Sequence, residues 1–243
     1  MEEGRLLASG RDSDIYEAGD TRLLRRARDG RSLVAEAEVM AFARSRGYPC
    51  PEVLDVLEGG SAMLMERVDG PTMLDDILRR PWRIGLHVSA LASLHEKLHA
   101  LRAPEGLPAA PGSRGDRLLH LDLHPLNVLM SSRGPVVVDW SNAARGNPDA
   151  DVAATWILLE GGGPPSAGLV SRLLLAGRMA AVRRFLSHFD LDGVRSEIEA
   201  VARWKCTDAN MSAHEKARIR TLAEREGRRG KGDLGTSGSR FGP

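Results

Sequence analysis

The sequence predicts an α+β protein whose strands and helices occupy different parts of the chain. Residues 5 to 68 contain short apolar runs, separated by turns rich in Gly, Asp and Ser, with one helical segment among them. Beyond residue 69, helical periodicity dominates and the strands are confined to one hairpin. A chain in which strands come first and helices follow is typical of the α+β class.

Composition limits the kinds of partner that this protein can have. With 34 basic and 33 acidic residues the formal net charge is +1, so we expect neither a nucleic acid nor a membrane as partner. The two cysteines, Cys50 and Cys206, lie far apart, which argues against a disulfide framework and a zinc site. The N-terminal residues are acidic where a signal peptide is basic, and no apolar run could span a bilayer. We therefore expect a cytoplasmic protein.

The periodicity of the sequence predicts the individual elements. A helix with Gly47 as its stop signal is expected at residues 32–45, and a helix that begins after Thr72 carries a capping box formed with Asp75. The apolar spacing predicts further helices at 85–101, 166–189, 192–205 and 212–226. Strands are expected at residues 5–7, 15–18, 21–26, 53–57 and 61–68.

Residues 118 to 140 form the segment with the strongest chemical signal. Two short strands, 128–130 and 135–138, flank the turn Ser-Ser-Arg-Gly, which is a hairpin pattern. This hairpin would bring Asp122, Asn127 and Asp139 close together at its open end. The alternative is a polar turn of purely structural use, but such a turn has little need for HLDLHP followed by an Asn.

These three side chains suit the transfer of a phosphoryl group. That reaction needs a positioned hydroxyl, metal ions across the phosphates and compensation of the developing charge. The Asp122 carboxylate could orient a hydroxyl and accept its proton. Asn127 and Asp139 offer hard oxygen ligands, which Mg²⁺ prefers. We therefore predict Asp122 as the catalytic residue and Asn127 and Asp139 as metal ligands.

The motif H-x-D-x-H-P-x-N-V, followed by V-D-W, resembles that of the aminoglycoside phosphotransferase and choline kinase-like family. His120, Asp122, Asn127 and Asp139 match the family pattern, whereas Leu121 stands where Gly is usual. The resemblance implies a bilobal protein-kinase-like fold, with a nucleotide-binding lobe at residues 1–68 and a catalytic and acceptor-binding lobe at 69–226. Residues 227–243 are rich in Gly, Ser and Arg, and their composition predicts disorder.

The resemblance also assigns the residues that bind the nucleotide. The turn at residues 9–14 would lie over the phosphates, with Gly10 and Ser13 as contacts, although both residues also fit an ordinary hairpin. Such kinases carry a phosphate-binding lysine on the third strand, but the four lysines here are at 97, 205, 216 and 231. Arg25 would take its place, paired with Glu36, or alternatively with Glu38.

Three further predictions follow from the resemblance. The backbone of Glu66 to Val68 would bind the adenine. Asp151 would brace the predicted catalytic loop, residues 120–127, from behind. His95 and His99 have the i, i+4 spacing of a metal pair, but the family has a similar pattern in this helix, so we assign no metal there.

The sequence therefore predicts an ATP- and Mg²⁺-dependent phosphotransferase that acts on a hydroxyl of a small molecule, such as an aminoglycoside-like antibiotic, an amino alcohol or a sugar. The missing lysine and the weak phosphate loop leave open an alternative, a catalytically impaired pseudokinase or scaffold. Protein kinase activity is disfavoured because no D-F-G follows the catalytic loop. The C-terminal helices would line the acceptor pocket, where four acids suit a cationic acceptor but could equally be helix caps: Glu160, Asp190, Asp192 and Asp208.

Overall fold

A computed structural model describes residues 4–10, 12–161, 169–209 and 211–234. The chain forms a sheet-rich N-terminal lobe and a larger, mainly helical C-terminal lobe, which confirms the predicted α+β bilobal architecture. The segment after the fifth strand connects the strands of the first lobe to the helices of the second, and the division at residue 68 stays a prediction.

The N-terminal lobe is built on one antiparallel sheet. Its five strands lie in the order β1-β2-β3-β5-β4, so the third strand is central. One face of the sheet is covered by helix α1, whose Val39, Met40 and Ala43 are buried. The strands are β1 (Leu6–Ser9), β2 (Ser13–Glu17), β3 (Arg22–Ala27), β4 (Val53–Leu57) and β5 (Ala62–Glu66), and α1 (Val34–Ser45) lies between β3 and β4.

In the described residues, the C-terminal lobe contains six α-helices and two small antiparallel strand pairs. The pair β7 and β8 is the predicted hairpin, whereas the pair formed by β6 and β9 was not predicted, because each strand has only three residues. The elements are α2 (Met73–Arg79), α3 (Ile84–His99), β6 (Arg117–Leu119), β7 (Val128–Ser131), β8 (Gly134–Val137), β9 (Ala144–Gly146), α4 (Pro148–Gly161), α5 (Leu169–Leu186), α6 (Leu191–Lys205) and α7 (Ala213–Leu234).

Helix α4 is the centre of this lobe. Its residues from Ala150 to Ile157 are buried without interruption, which is the pattern of a helix surrounded by other elements rather than of a surface helix. It packs against α5, α6 and α7. Most side chains of this stretch are apolar and are covered by neighbouring elements, while the buried Asp151 on the same helix bonds to the backbone of the catalytic loop.

Local signals account for the helix ends. The hydroxyl of Thr72 accepts from the backbone N–H of Asp75 at 3.0 Å, and Ser212 does the same for Glu215 at 3.2 Å, so both predicted N-terminal caps are confirmed. One boundary was wrong, since α7 continues to Leu234 although disorder was predicted from residue 227. The remaining predicted tail, 235–243, lies outside the described residues.

The connection between the lobes fixes their relative position through a close backbone contact. Gly70 has φ +152°, and a Cβ atom there would lie 2.3 Å from the carbonyl oxygen of Met130 in β7. Only glycine allows such an approach. Across the described part of the chain, no helix has both the length and the apolar character needed to cross a membrane.

Candidate active site

The catalytic loop begins directly after β6 and is held from behind by Asp151. The buried carboxylate of Asp151 accepts from the backbone N–H of Leu121 at 2.6 Å and from that of His120 at 3.3 Å. The predicted brace is therefore confirmed. Leu121 has φ +58°, a left-handed conformation that glycine adopts without strain.

His95 and His99 support the same carboxylate from the opposite side. The Nε2 atom of His99 lies 2.9 Å from Asp151, and the Nδ1 atom of His95 lies 3.5 Å from it. Burial favours a raised pKa for Asp151, but the nearby His95 ring and the hydrogen-bonded His99 outweigh it and hold the pKa well below its usual range. Although the three side chains offer ligand atoms within 4.8 Å of one another, the carboxylate oxygens are already used by the loop and the histidine rings.

Asp122 and Asn127 are joined within the catalytic loop. The Nδ2 atom of Asn127 donates to the backbone carbonyl of Asp122 and to its Oδ2 atom, at 2.9 Å in both cases. These bonds consume the amide N–H groups, so the Oδ1 atom of Asn127 remains to accept or to bind a cation.

The β7–β8 hairpin brings Asp139 to the same place. Val128 pairs with Val137, and the backbone N–H of Val138 donates to the carbonyl of Asn127 at 3.0 Å, so Asn127 and Asp139 flank the open end of the hairpin. The carboxylate of Asp139 is 43% exposed and accepts from the Ser141 hydroxyl at 3.0 Å. A partly exposed carboxylate beside an amide oxygen fits the oxygen ligands that Mg²⁺ prefers.

Arg25 connects the N-terminal sheet with this hairpin. Its guanidinium forms a buried ion pair with Glu36, and its Nη2 atom lies 3.3 Å from Asp139 Oδ1. The Arg25–Glu36 pairing is as predicted, and Glu38 is exposed instead. Burial raises the pKa of Glu36 and the charge of Arg25 lowers it, with the raising effect larger. Glu36 also accepts from the backbone N–H of Trp140 at 3.2 Å, which links α1 to the residue after Asp139.

The turn between β1 and β2 contains an internal backbone hydrogen bond. The N–H of Gly10 donates to the carbonyl of Ser13 at 2.9 Å, so this N–H is not directed at a phosphate. The hydroxyl of Ser13 is buried and accepts from Arg25 Nε at 3.2 Å. Ser13 therefore lies beside the guanidinium of Arg25, whereas Gly10 shapes the turn.

The chain at the end of β5 uses some of its backbone N–H groups within the N-terminal lobe. The N–H groups of Glu66 and Arg67 already donate to the carbonyls of Glu52 and Thr21, at 2.8 and 2.9 Å. The Glu66 side chain is paired with Arg133. Two of the N–H groups are therefore used within the N-terminal lobe, and the expected contact of the backbone from Glu66 to Val68 with adenine stays a prediction.

Sequence reasoning missed Lys205, the last residue of α6. Its Nζ atom lies 2.7 Å from Asp122 Oδ1, and the residue is only 5% exposed. Burial favours a raised pKa for Asp122, but the nearby His124 ring and the charge of Lys205 outweigh it and hold the pKa far below its usual range. The buried positions of α6 gave a signal, since Val194, Ile198, Val201 and Lys205 recur at helical spacing.

An open cleft of about 240 Å³ lies next to this pair. It extends from the N-terminal lobe, at Asp12 and Arg31, to the end of α6, at Trp204 and Lys205. Ser141 and Asn142, which follow Asp139, also line it. The cleft is therefore bounded by both lobes, where a nucleotide and an acceptor could meet.

The four acids considered for a cationic acceptor have mainly structural contacts. Asp190 caps α6 by accepting from the N–H of Asp192 at 3.2 Å, and Asp192 pairs with Arg195 at 3.1 Å. Glu160 accepts from Trp156 Nε1 at 2.8 Å. Of these four acids, Asp208 is the one that lines the cleft.

Comparison with known proteins agrees with this geometry. The family model described as "Phosphotransferase enzyme family" matches residues 3–116 and 91–186, which together cover well over half of the chain. The chain belongs to this family. No curated protein matches it.

Several solved structures share the fold of this phosphotransferase family member at low sequence identity. A thermostable mutant of aminoglycoside phosphotransferase APH(4)-Ia is 17% identical, with TM-score 0.64 and coverage of 95% of this chain and 96% of that chain. A ternary complex of such a mutant with AMP-PNP and hygromycin B is 16% identical, with TM-score 0.63 and coverage of 98% and 94%. The streptomycin-ATP-APH(2")-IIa complex is 16% identical, with TM-score 0.53 and coverage of 84% and 86%.

Proposed function

We propose that this protein transfers the terminal phosphoryl group of ATP to a hydroxyl group of a small molecule. Membership of the phosphotransferase family supports the reaction class. The observation that carries the proposal is the arrangement around the hairpin, where Asp122 is bonded to Asn127, and Asp139 is bonded to Arg25. Solved relatives in complex with ATP or AMP-PNP support ATP as the donor.

Each side chain has a separate role in this proposal. Asn127 Oδ1 and Asp139 would hold Mg²⁺, which when bound supplies positive charge against the phosphates. Arg25, fixed by Glu36, would bind the phosphates from the N-terminal lobe, and Ser13 could donate its hydroxyl proton to them. Asp122 would orient the acceptor hydroxyl toward the phosphorus atom, a positioning effect that supplies much of the rate in phosphoryl transfer.

The acceptor is proposed only as a class. Aminoglycosides are bound by solved relatives, namely hygromycin B and streptomycin. In this chain, Asp208 is the acid that lines the cleft among the four that were considered, and Arg31 and Lys205 line it too. We therefore include neutral and anionic hydroxyl compounds, such as sugars, among the acceptors to be tested beside aminoglycosides and amino alcohols.

The test is a screen of hydroxyl compounds for acceptor-dependent consumption of ATP and GTP by the full chain with Mg²⁺. We expect at least one acceptor to stimulate consumption, with a phosphorylated product in the mass spectrum. The variant Asp139→Asn should lose this activity by about 10²-fold or more, since it removes a ligand charge at the metal. Stimulation that survives in Asp139→Asn would contradict the assigned site.

The alternative function is a nucleotide-binding pseudokinase. Its motivation is the absence of a lysine on β3, where Arg25 is larger and binds phosphate with a different geometry. In that case ATP with Mg²⁺ would raise the melting temperature of the protein, but neither an acceptor nor water would receive the phosphoryl group.

A further inference from the structure

Lys205 occupies a buried position, where a lysine of purely structural use would destabilise the fold. It continues the buried face of α6, after Val194, Ile198 and Val201, so its stem runs along the core rather than into solvent. An ammonium group that is removed from water loses several kcal/mol of hydration unless it finds a well-placed partner. Its partner here is the one residue proposed to orient the acceptor, Asp122.

The bond to Lys205 completes the hydrogen bonding of the Asp122 carboxylate. Oδ1 accepts from Lys205 at 2.7 Å, while Oδ2 accepts from Asn127 at 2.9 Å. A carboxylate held in this way is fixed in orientation and remains ionised, which suits positioning of a hydroxyl more than strong general-base catalysis.

The ammonium group has capacity beyond this one bond. It carries three N–H donors, of which the Asp122 bond uses one, and Lys205 lines the cleft between the lobes. The Trp204 ring, whose centroid lies 4.9 Å from Nζ, restricts the position of the ammonium. The cation is therefore held at the end of the cleft where the acceptor hydroxyl would meet the transferred group.

We infer that Lys205 is a catalytic residue that binds the phosphoryl group during transfer while it positions Asp122. This inference rests on the proposed function. In the transfer, the bond from the γ-phosphorus to the β–γ bridging oxygen breaks and its electron pair stays with ADP. A new bond forms from the acceptor oxygen to phosphorus, and the hydroxyl proton passes through Asp122 to solvent. Lys205 compensates the charge of the phosphoryl oxygens from the C-terminal lobe, while Arg25 binds the phosphates that stay with the nucleotide.

This arrangement explains how the chain can act without a lysine in its N-terminal lobe. Arg25 is restrained by three side chains, Ser13, Glu36 and Asp139. The Arg25 guanidinium is therefore committed to organising the nucleotide end of the cleft. The negative charge of the transferred phosphoryl group would be compensated from the C-terminal lobe by Lys205, which lies outside the catalytic motif.

The experiment compares binding of ADP–Mg²⁺ with and without fluoroaluminate, a mimic of the phosphoryl group in transfer, by calorimetry on the full chain. Wild type should bind ADP more tightly when fluoroaluminate is present. Lys205→Met should bind ADP alone within about twofold of wild type but lose most of the tightening, about 10²-fold. Lys205→Arg should recover part of it. Lys97→Met, at an exposed position of α3, is the matched control and should behave as wild type.

The outcomes separate the inference from the function on which it rests. Failure of wild type to bind ADP would overturn the proposed function itself. ADP binding without any fluoroaluminate-dependent tightening in wild type, or equal tightening in Lys205→Met, would overturn the role of Lys205. Faster ATP hydrolysis by Lys205→Met than by wild type would also overturn the proposed role, because Lys205 would then inhibit Asp122 instead of assisting the transfer. Melting temperatures of all variants identify any loss of folding.

Discussion

Arg25 Nη2 lies 3.3 Å from Asp139 Oδ1, although the two residues are 114 positions apart in the chain. Arg25 belongs to the central strand of the N-terminal sheet, and Asp139 follows the hairpin of the C-terminal lobe. This contact joins the cation proposed to bind phosphate in one lobe to the carboxylate proposed to bind the metal in the other. Both groups would therefore meet the same nucleotide, and each depends on the other for its position.

Removal of the guanidinium should affect both folding and nucleotide binding. Arg25→Ala leaves the Glu36 carboxylate buried without its cation, and breaking a buried pair in this way costs about 3–5 kcal/mol. Arg25→Lys keeps the charge but loses the fork that reaches Ser13, Glu36 and Asp139, so we expect a smaller loss. Urea denaturation measures the stability, and ADP titration of the variants that still fold measures the binding. Equal stability of Arg25→Ala and wild type would contradict the importance of this pair.

The pH dependence of stability should change when Lys205 is replaced. The folded-state pKa of Asp122 lies below its unfolded value of about 3.9, so its contribution to stability is present above that value and is lost as the pH falls through the folded pKa. In Lys205→Met the cation is gone, the pKa of Asp122 rises, and this contribution should disappear at a higher pH. Urea midpoints measured from about pH 2 to pH 7 test this. Parallel curves for the variant and wild type would show that Lys205 does not set the ionisation of Asp122.

The backbone conformation at Leu121 should reverse the usual order of stability, in which an alanine variant is more stable than a glycine variant. Both Leu121→Ala and Leu121→Gly remove a buried side chain and should destabilise by about 2–5 kcal/mol. At φ +58° glycine avoids the strain of about 1 kcal/mol that alanine keeps, so Leu121→Gly should be at least as stable as Leu121→Ala. Chemical denaturation of the two variants provides the comparison. A clearly less stable Gly variant would mean that the left-handed conformation is absent in solution.

The contact of Gly70 with Met130 predicts a loss of stability on addition of one methyl group. Gly70→Ala places a Cβ atom 2.3 Å from a backbone oxygen that cannot rotate away, which should cost about 1–3 kcal/mol. The matched control is Gly177→Ala, because Gly177 is exposed in α5 and a methyl group added there would have no neighbouring atom within 4 Å. That change should stabilise the helix by about 0.5–1 kcal/mol. Thermal unfolding of both variants measures whether Gly70→Ala is destabilised and Gly177→Ala is stabilised, as expected.

The sequence predicted the parts of the fold and site that local signals determine. The catalytic motif, the hairpin and the capping boxes at Thr72 and Ser212 each depend on residues close together in the chain. The pairing of Arg25 with Glu36 rather than Glu38 could be predicted only from family resemblance, because packing of α1 on the sheet decides which acid is buried.

The parts that the sequence did not predict depend on distant contacts. Strands β6 and β9 are too short to show periodicity and pair only because the intervening loops bring them together. Lys205 resembles any lysine in the last turn of a helix, where a cation is favoured by the helix dipole. Its contact with Asp122, 83 positions away, exists because α6 packs on α4 beneath the catalytic loop.

The position of Lys205 at the end of α6 limits how this protein can diverge. Insertion of a single residue within the helix would rotate everything after it by about 100° and shift it by about 1.5 Å. The ammonium would then leave the cleft and an unrelated side chain would enter it. Insertion of a whole turn would restore the rotation but shift the lysine by about 5.4 Å. Changes in α6 that preserve the placement of Lys205 are therefore restricted to substitutions, and differences in length among descendants should accumulate in the loops that precede and follow this helix.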